Sequence, residues 1–212
     1  MLKCLKFLPP CRSVICLDGS LPYEGIRRLH LPIIAADGAS NKLIRHHMEP
    51  QIILGDLDSV DKYLLQGRRY LEISDQDTTD FEKALSYAEK ESLTPAVVTG
   101  VDGGYIDHIL GNVNILARTG SIFLTKTIIG MILDGPHFFD KIPLRTKISI
   151  FGLPHCVVQS RGLRWELNAT KLSMGGKFSL GNRTQSSKIE LKVLSGKAMV
   201  CIYTKTIRDA GF

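Results

Sequence analysis

Two aspartates one residue apart, Asp56 and Asp58, stand in Leu54-Gly55-Asp56-Leu57-Asp58-Ser59, directly after a short apolar run. In extended chain, residues i and i+2 point to the same side. Two carboxylates placed so repel each other unless a cation lies between them. Hard oxygen ligands suit Mg²⁺ or Ca²⁺, and Mg²⁺ typically takes one or two carboxylates plus substrate phosphates. The plainer alternative is an acidic turn, because Asp and Ser are ordinary turn residues. A second acidic run, Asp75-Gln76-Asp77-Thr78-Thr79-Asp80, opens a helix. Thr79 caps it, and Glu82 three residues on completes a capping box. The free N–H groups and positive dipole end of such a helix attract phosphate. Asp80, in the first turn, can reach back toward a metal held by Asp56 and Asp58. A third cluster runs Thr99-Gly100-Val101-Asp102-Gly103-Gly104-Tyr105-Ile106-Asp107-His108. Its glycines permit close approach of backbone to a ligand. It is neither a Walker A loop nor GxGxxG. Asp107 is placed to cap the following helix, and His108 and Asn112 share its polar face.

These clusters need elements that hold them. Apolar runs at 13–17, 31–36, 51–54, 70–73 and 96–100 read as strands. Helical patterns lie between and after them, at 23–30, at 39–47, from Thr79 onward and at 107–118. Phe81, Ala84, Leu85 and Ala88 form the apolar face of the third helix. Ile106, Ile109, Leu110, Val113, Leu116 and Ala117 form the core stripe of the fourth. Strands alternating with helices indicate a mostly parallel sheet. Ligands of such sheets bind beyond the carboxyl ends of the strands. The acidic turns at Asp18, Asp37, Asp56, 75–80 and 102–107 all follow apolar runs, so they share one sheet edge. After Gly120 the texture changes to short β-rich runs at 122–124, 127–133, 147–151, 157–160, 189–194 and 198–203. The expectation is a second, all-β domain, a sandwich or barrel, with the division at 1–120 and 121–212. Trp165, the only tryptophan, is either core or a stacking platform for a flat heterocycle. The polar turn at 177–184 can present Ser179 and Asn182.

The 212 residues, 44% hydrophobic and 23% charged, suit a globular protein with a sizeable core. No apolar run approaches a membrane span. Pro9-Pro10 with Lys3, Lys6 and Arg12 break any signal-peptide core, which points to a cytoplasmic chain. The five cysteines form no CxxC pair, which fits reduced thiols and argues against zinc. The net charge of +6 is dispersed, with no basic stripe. That disfavours nucleic acid and fits a small anionic substrate. No Ser/His/Asp or Cys/His arrangement suggests a covalent nucleophile. The residues describe a Mg²⁺-dependent enzyme acting on a polyphosphate, where catalysis is mostly positioning and charge stabilisation.

Asp37-Gly38-Ala39, Gly55-Asp56-Leu57-Asp58-Ser59, the run from Asp75 to Phe81, Gly103-Gly104 with Asp107-His108, and Gly162-Leu163-Arg164-Trp165 occur in this order. As an ordered set they resemble the thiamine pyrophosphokinase family. The resemblance implies an α/β ATP-binding domain followed by a β-sandwich, assembled as a homodimer. It implies transfer of the diphosphoryl group of ATP to the hydroxyl of thiamine, giving thiamine diphosphate and AMP by in-line displacement. Asp56, Asp58 and Asp80 match the family's Mg²⁺-binding carboxylates. Asp37, Thr79 and Asp107, with His108 adjacent, match positions beside the nucleotide. Gln76, Trp165, Ser179 and Asn182 match a thiamine pocket, the last three serving the partner subunit. Two residues depart from the pattern. Tyr105 stands where an arginine is usual beside the phosphates, and Gly181 where a serine is usual. Rival readings are a diphosphokinase for a pterin alcohol, and a nucleotide- or thiamine-binding protein with reduced turnover.

Overall fold

The computed structural model describes residues 10–204, which divide into two compact units, Pro10–Lys126 and 127–204. Residues 1–9, with Lys3, Cys4, Lys6 and Pro9, lie outside the described residues.

The first unit is built on six parallel strands. They are β1 (Ser13–Cys16), β2 (Ile33–Ala36), β3 (Ile52–Gly55), β4 (Tyr70–Glu72), β5 (Ala96–Thr99) and β6 (Ile122–Leu124). Their order is β6-β5-β1-β2-β3-β4. β1, β3 and β5 are buried at every residue, as expected of strands covered on both faces. Four helices join them: α1 (Tyr23–Leu29), α2 (Ala39–Arg45), α3 (Asp80–Lys90) and α4 (Ile106–Thr119). Val14, Cys16, Ile53 and Leu43 are among the residues of one buried cluster. β2 and β5 both flank β1, so the strand order reverses there. Such a switch point leaves a crevice beyond the strand ends.

Two details differ from the sequence expectation. Residues 122–124, expected in the β-rich half, form β6 and pair in parallel with β5, Val97 opposite Ile122. α4 closes on Gly120 in the left-handed conformation, φ 69°, and the chain turns straight back into the sheet. The compact division therefore falls after Lys126. On α4 itself, only Ile115 and Leu116 are buried, whereas Ile106 and Leu110 are exposed. Helical spacing defines a face but not how far along the helix that face is covered.

The second unit consists of antiparallel pairs. Its strands are β7 (Ile128–Leu133), β8 (Pro136–Phe139), β9 (Lys147–Arg161), β10 (Thr170–Ser173), β11 (Ser179–Arg183) and β12 (Ile189–Tyr203). β9 and β12 pair along most of their length. One end of β12 pairs with β8 and the other with β7, while β9 pairs with β11 and then β10. The four short runs at 147–151, 157–160, 189–194 and 198–203 are thus halves of two long strands. Register shifts interrupt the alternation, between Val193 and Ser195 and between Gly196 and Ala198. Gly196 sits at φ 73°, and a Cβ there would lie 2.2 Å from the His155 carbonyl oxygen. Such bulges shift the period-2 pattern by one residue, which divides one strand into two runs.

Candidate active site

Within the first unit, the loops at the carboxyl ends of β1, β2, β3 and β5 and the start of α3 line one cleft of about 720 Å³. Asp37, Asp56, Asp58, Gln76, Thr79, Asp80, Asp107 and His108 all line it. The spacing of acidic turns after apolar runs therefore located a single edge.

Asp37 follows β2 in the left-handed conformation, φ 44°. Its N–H donates to the Leu54 carbonyl (2.8 Å), and its own carbonyl accepts from the Ser40 N–H and hydroxyl. This pins a 6% exposed carboxylate against the end of β3. Gly55, at φ 147°, permits the approach: a Cβ there would stand 3.0 Å from Asp37 Cβ and 3.1 Å from Asp80 Oδ1. Asp56 and Asp58 do not meet across an extended segment. Leu57 between them adopts φ 62° and is buried, and the Asp58 N–H donates to Asp56 Oδ1 at 3.4 Å. A turn anchored by an apolar side chain, rather than strand alternation, brings this pair together.

One carboxylate oxygen from each of Asp37, Asp56 and Asp58 lies within 4.8 Å of the other two. Asp37 Oδ1 is buried and has no hydrogen-bond partner. An orphaned buried acceptor calls for an explanation such as an ion or water. Burial pushes the Asp37 carboxyl up, and the Asp80 and Asp58 charges add to it, against hydrogen bonds from Ser59 and the Gly38 backbone. Asp56 is held low, first by the Gln76 amide and then by the Asp58 N–H. Three converging carboxylates with one unsatisfied oxygen fit a hard divalent cation.

Asp80 stands outside that trio. Its Oδ1 accepts from Lys83 Nζ at 3.2 Å, and Lys83 is only 6% exposed. From the sequence, Lys83 or Lys42 is the lysine that would compensate for the arginine missing at position 105; in the structure Lys83 lies on Asp80 and Lys42 on Asp18. The signal for Lys83 is a lysine among the apolar positions Phe81 and Ala84, three residues after an aspartate. Gln76 Nε2 donates to Asp56 Oδ2 at 3.2 Å, so Gln76 buttresses the carboxylate trio. The capping box forms: Thr79 Oγ1 accepts from the Glu82 N–H, and Glu82 Oε2 accepts from the Thr79 N–H. Arg118 also donates to Glu82.

The loops after β1 and β5 touch backbone to backbone. A Cβ at Gly100 would lie 2.1 Å from the Leu17 carbonyl oxygen, and one at Gly19 would lie 2.2 Å from that of Asp102. Lys42 Nζ ties the first of these loops through Asp18 Oδ1 (2.9 Å) and the Asp18 carbonyl (2.5 Å). Asp107 does not cap α4. Tyr105 holds that position with no side-chain cap, while Asp107 Oδ1 accepts from the His108 N–H. Asn112 donates to the Val101 carbonyl. Tyr105 is 80% exposed, its ring 6.1 Å from that of His108. Lys83 is the only Lys or Arg among the described residues lining the cleft.

In the second unit, Trp165 is not core: it is 55% exposed, with the Arg164 guanidinium 4.8 Å from its ring centroid. Asn182 is 2% exposed and turned toward the backbone of Trp165, with Ser179 Oγ 3.4 Å from its amide nitrogen.

A family model described as the thiamin pyrophosphokinase catalytic domain matches residues 29–128. Thiamine pyrophosphokinase 1 of Arabidopsis thaliana is 27% identical over 242 residues, covering 91% of this chain and 89% of that protein. Thiamine pyrophosphokinase 1 of Oryza sativa subsp. japonica is 30% identical over 211 residues, covering 85% of this chain and 75% of that protein. The crystal structure of yeast thiamin pyrophosphokinase shares the fold at a TM-score of 0.77 and 16% identity, covering 95% of this chain and 89% of that one. On these sequence matches, the chain belongs to the thiamine pyrophosphokinase family.

Proposed function

We infer that this protein transfers the diphosphoryl group of ATP to the hydroxyl of thiamine, releasing AMP. The observation that carries the site assignment is the convergence of Asp37, Asp56 and Asp58, one with an orphaned buried oxygen, in the cleft of a chain of this family. These three carboxylates would hold Mg²⁺. A cation bound there supplies positive charge against the triphosphate and the departing AMP oxygen. The hydroxyl oxygen of thiamine bonds to the β-phosphorus, and the bond from that phosphorus to the AMP oxygen breaks. Asp80, outside the trio, would orient the hydroxyl and accept its proton. Lys83 keeps Asp80 in place. Thr79, Asp107 and His108 border the nucleotide.

The antiparallel unit, the β-sandwich of the resemblance, presents Trp165 to thiamine. A flat aminopyrimidine and a cationic thiazolium both suit an indole face. A homodimer would set this unit beside the partner subunit's cleft. The buried, unbridged Cys16, Cys156 and Cys201 accord with a reducing, cytoplasmic setting. Among the described residues, no helix is long and apolar enough to cross a membrane.

The test is AMP release from ATP and Mg²⁺ with thiamine, repeated with Asp58→Asn and with a pterin alcohol. AMP formed only with the pterin overturns the acceptor. A second reading, ligand binding with reduced turnover, is favoured by Tyr105, which leaves no guanidinium among the described residues lining the cleft. Tight ligand binding without AMP release, unaltered by Tyr105→Arg, would favour that reading.

A further inference from the structure

The turn that carries Trp165 is held from two sides. From β11, Asn182 brackets the backbone of Trp165 itself. Its Oδ1 accepts from the Trp165 N–H (3.1 Å) and the Arg183 N–H (2.8 Å), and its Nδ2 donates to the Trp165 carbonyl (2.7 Å). Asn182 is buried, so water cannot readily take over these bonds. From within the turn, Glu166 Oε1 accepts from the N–H groups of Gly162 (2.6 Å) and Leu163 (3.0 Å). Its Oε2 accepts from the Ser160 hydroxyl (2.5 Å). Ser160 Oγ in turn accepts from the Leu167 N–H at 2.8 Å, and the Ser160 N–H donates to the Leu167 carbonyl at 2.8 Å, closing the base of the loop. The indole that emerges is 55% exposed and carries Arg164 over its ring, so side-chain packing alone does not fix it.

We propose that Glu166 and Asn182 are positioning residues for thiamine, acting through the backbone on either side of Trp165. This rests on Trp165 being the acceptor platform. Asn182 then serves the acceptor without touching it, since both polar atoms of its amide are engaged by the chain itself. Glu166, which neither a metal nor a nucleotide reading explains, becomes a determinant of acceptor affinity. A half-exposed ring binds a flat ligand well only if its orientation is set before the ligand arrives.

Because Trp165 is the only tryptophan, its fluorescence reports this turn directly. The experiment compares Glu166→Ala, Asn182→Ala, Glu166→Gln and Trp165→Ala in the full chain. Steady-state KM is measured for each substrate, with emission anisotropy for the variants that keep the indole. Glu166→Ala and Asn182→Ala are expected to raise the KM for thiamine about tenfold, the scale of one or two lost hydrogen bonds. The KM for ATP stays within about twofold, since the cleft in the first unit keeps its contacts. Anisotropy of the free enzyme falls in both. Glu166→Gln retains an acceptor for the two N–H groups and largely restores both readouts. Unchanged thiamine KM and anisotropy in the alanine variants, with a raised thiamine KM in Trp165→Ala, overturn the proposal and spare the platform. An unchanged thiamine KM in Trp165→Ala overturns the platform itself, and the positioning role with it. Should the alanine variants not fold, Glu166→Asp is used, one methylene short of spanning the same three donors. Its thiamine KM is expected to rise about threefold, and an unchanged value overturns the proposal.

Discussion

The two units of this chain carry opposite charge. Pro10–Lys126 holds 16 Asp and Glu against 12 Lys and Arg, while residues 127–204 hold 4 against 11. The overall +6 conceals this division. In the parallel unit the acidic groups gather at strand ends, where the fold leaves a crevice. Among the described residues lining the cleft, Lys83 is the one Lys or Arg that opposes them. The antiparallel unit builds its candidate site from one indole and the hydrogen bonds that hold its turn. A cation site needs charges that converge and cannot relax apart. An aromatic platform needs an orientation instead. That difference predicts which kind of substitution damages each unit.

The largest effect is expected in the carboxylate trio. Asp58→Asn should lower AMP release by at least about a hundredfold, because even the partners of metal ligands are worth ten- to a hundredfold. A loss below tenfold would place the cation elsewhere. Next, Trp165→Ala should raise the thiamine KM about tenfold and leave that of ATP unchanged, on the usual scale of ring stacking. A parallel rise in both would erase the division of labour between the units. Lys83→Met removes the partner of Asp80. Asp80 keeps partial access to water, so a loss of about 1 kcal/mol in urea unfolding is expected rather than the larger penalty of a fully buried pair. Thr79→Ala should cost about 1 kcal/mol through loss of the α3 cap.

The smallest effect concerns acid stability. The Thr79 N–H, followed by Arg118, holds the Glu82 carboxyl below its ordinary 4.5. A depressed folded value means that this stabilisation is present above about pH 4.5 and fades as pH falls through the folded value. Glu82→Gln should therefore flatten the acid limb of the stability curve. An unchanged slope below pH 4.5 would show that the capping box carries no charge dependence.

How much was legible follows from how local each feature is. The helix start at Thr79 was readable because a capping box spans four residues. The buried strands of the parallel unit were readable because strands covered on both faces appear as unbroken apolar runs. β9 and β12 were read as fragments because their bulges shift the period, and only pairing along their length joins the halves. The exposed apolar residues of α4 are not legible in its spacing, because spacing cannot say where a neighbouring layer stops.

By itself, the sequence determined the order of elements in the parallel unit, the acidic residues at the strand ends and the motif set that marks the family. Those properties depend on residue type and short-range period. Only the tertiary structure decided which carboxylates converge. Asp37 joins Asp56 and Asp58 through the hydrogen bond from its N–H to the Leu54 carbonyl, whereas Asp80 is drawn to Lys83. It also turned Asn182 toward the backbone of Trp165. Side chains far apart in the chain meet only where packing brings their backbones together, and no local pattern encodes that meeting.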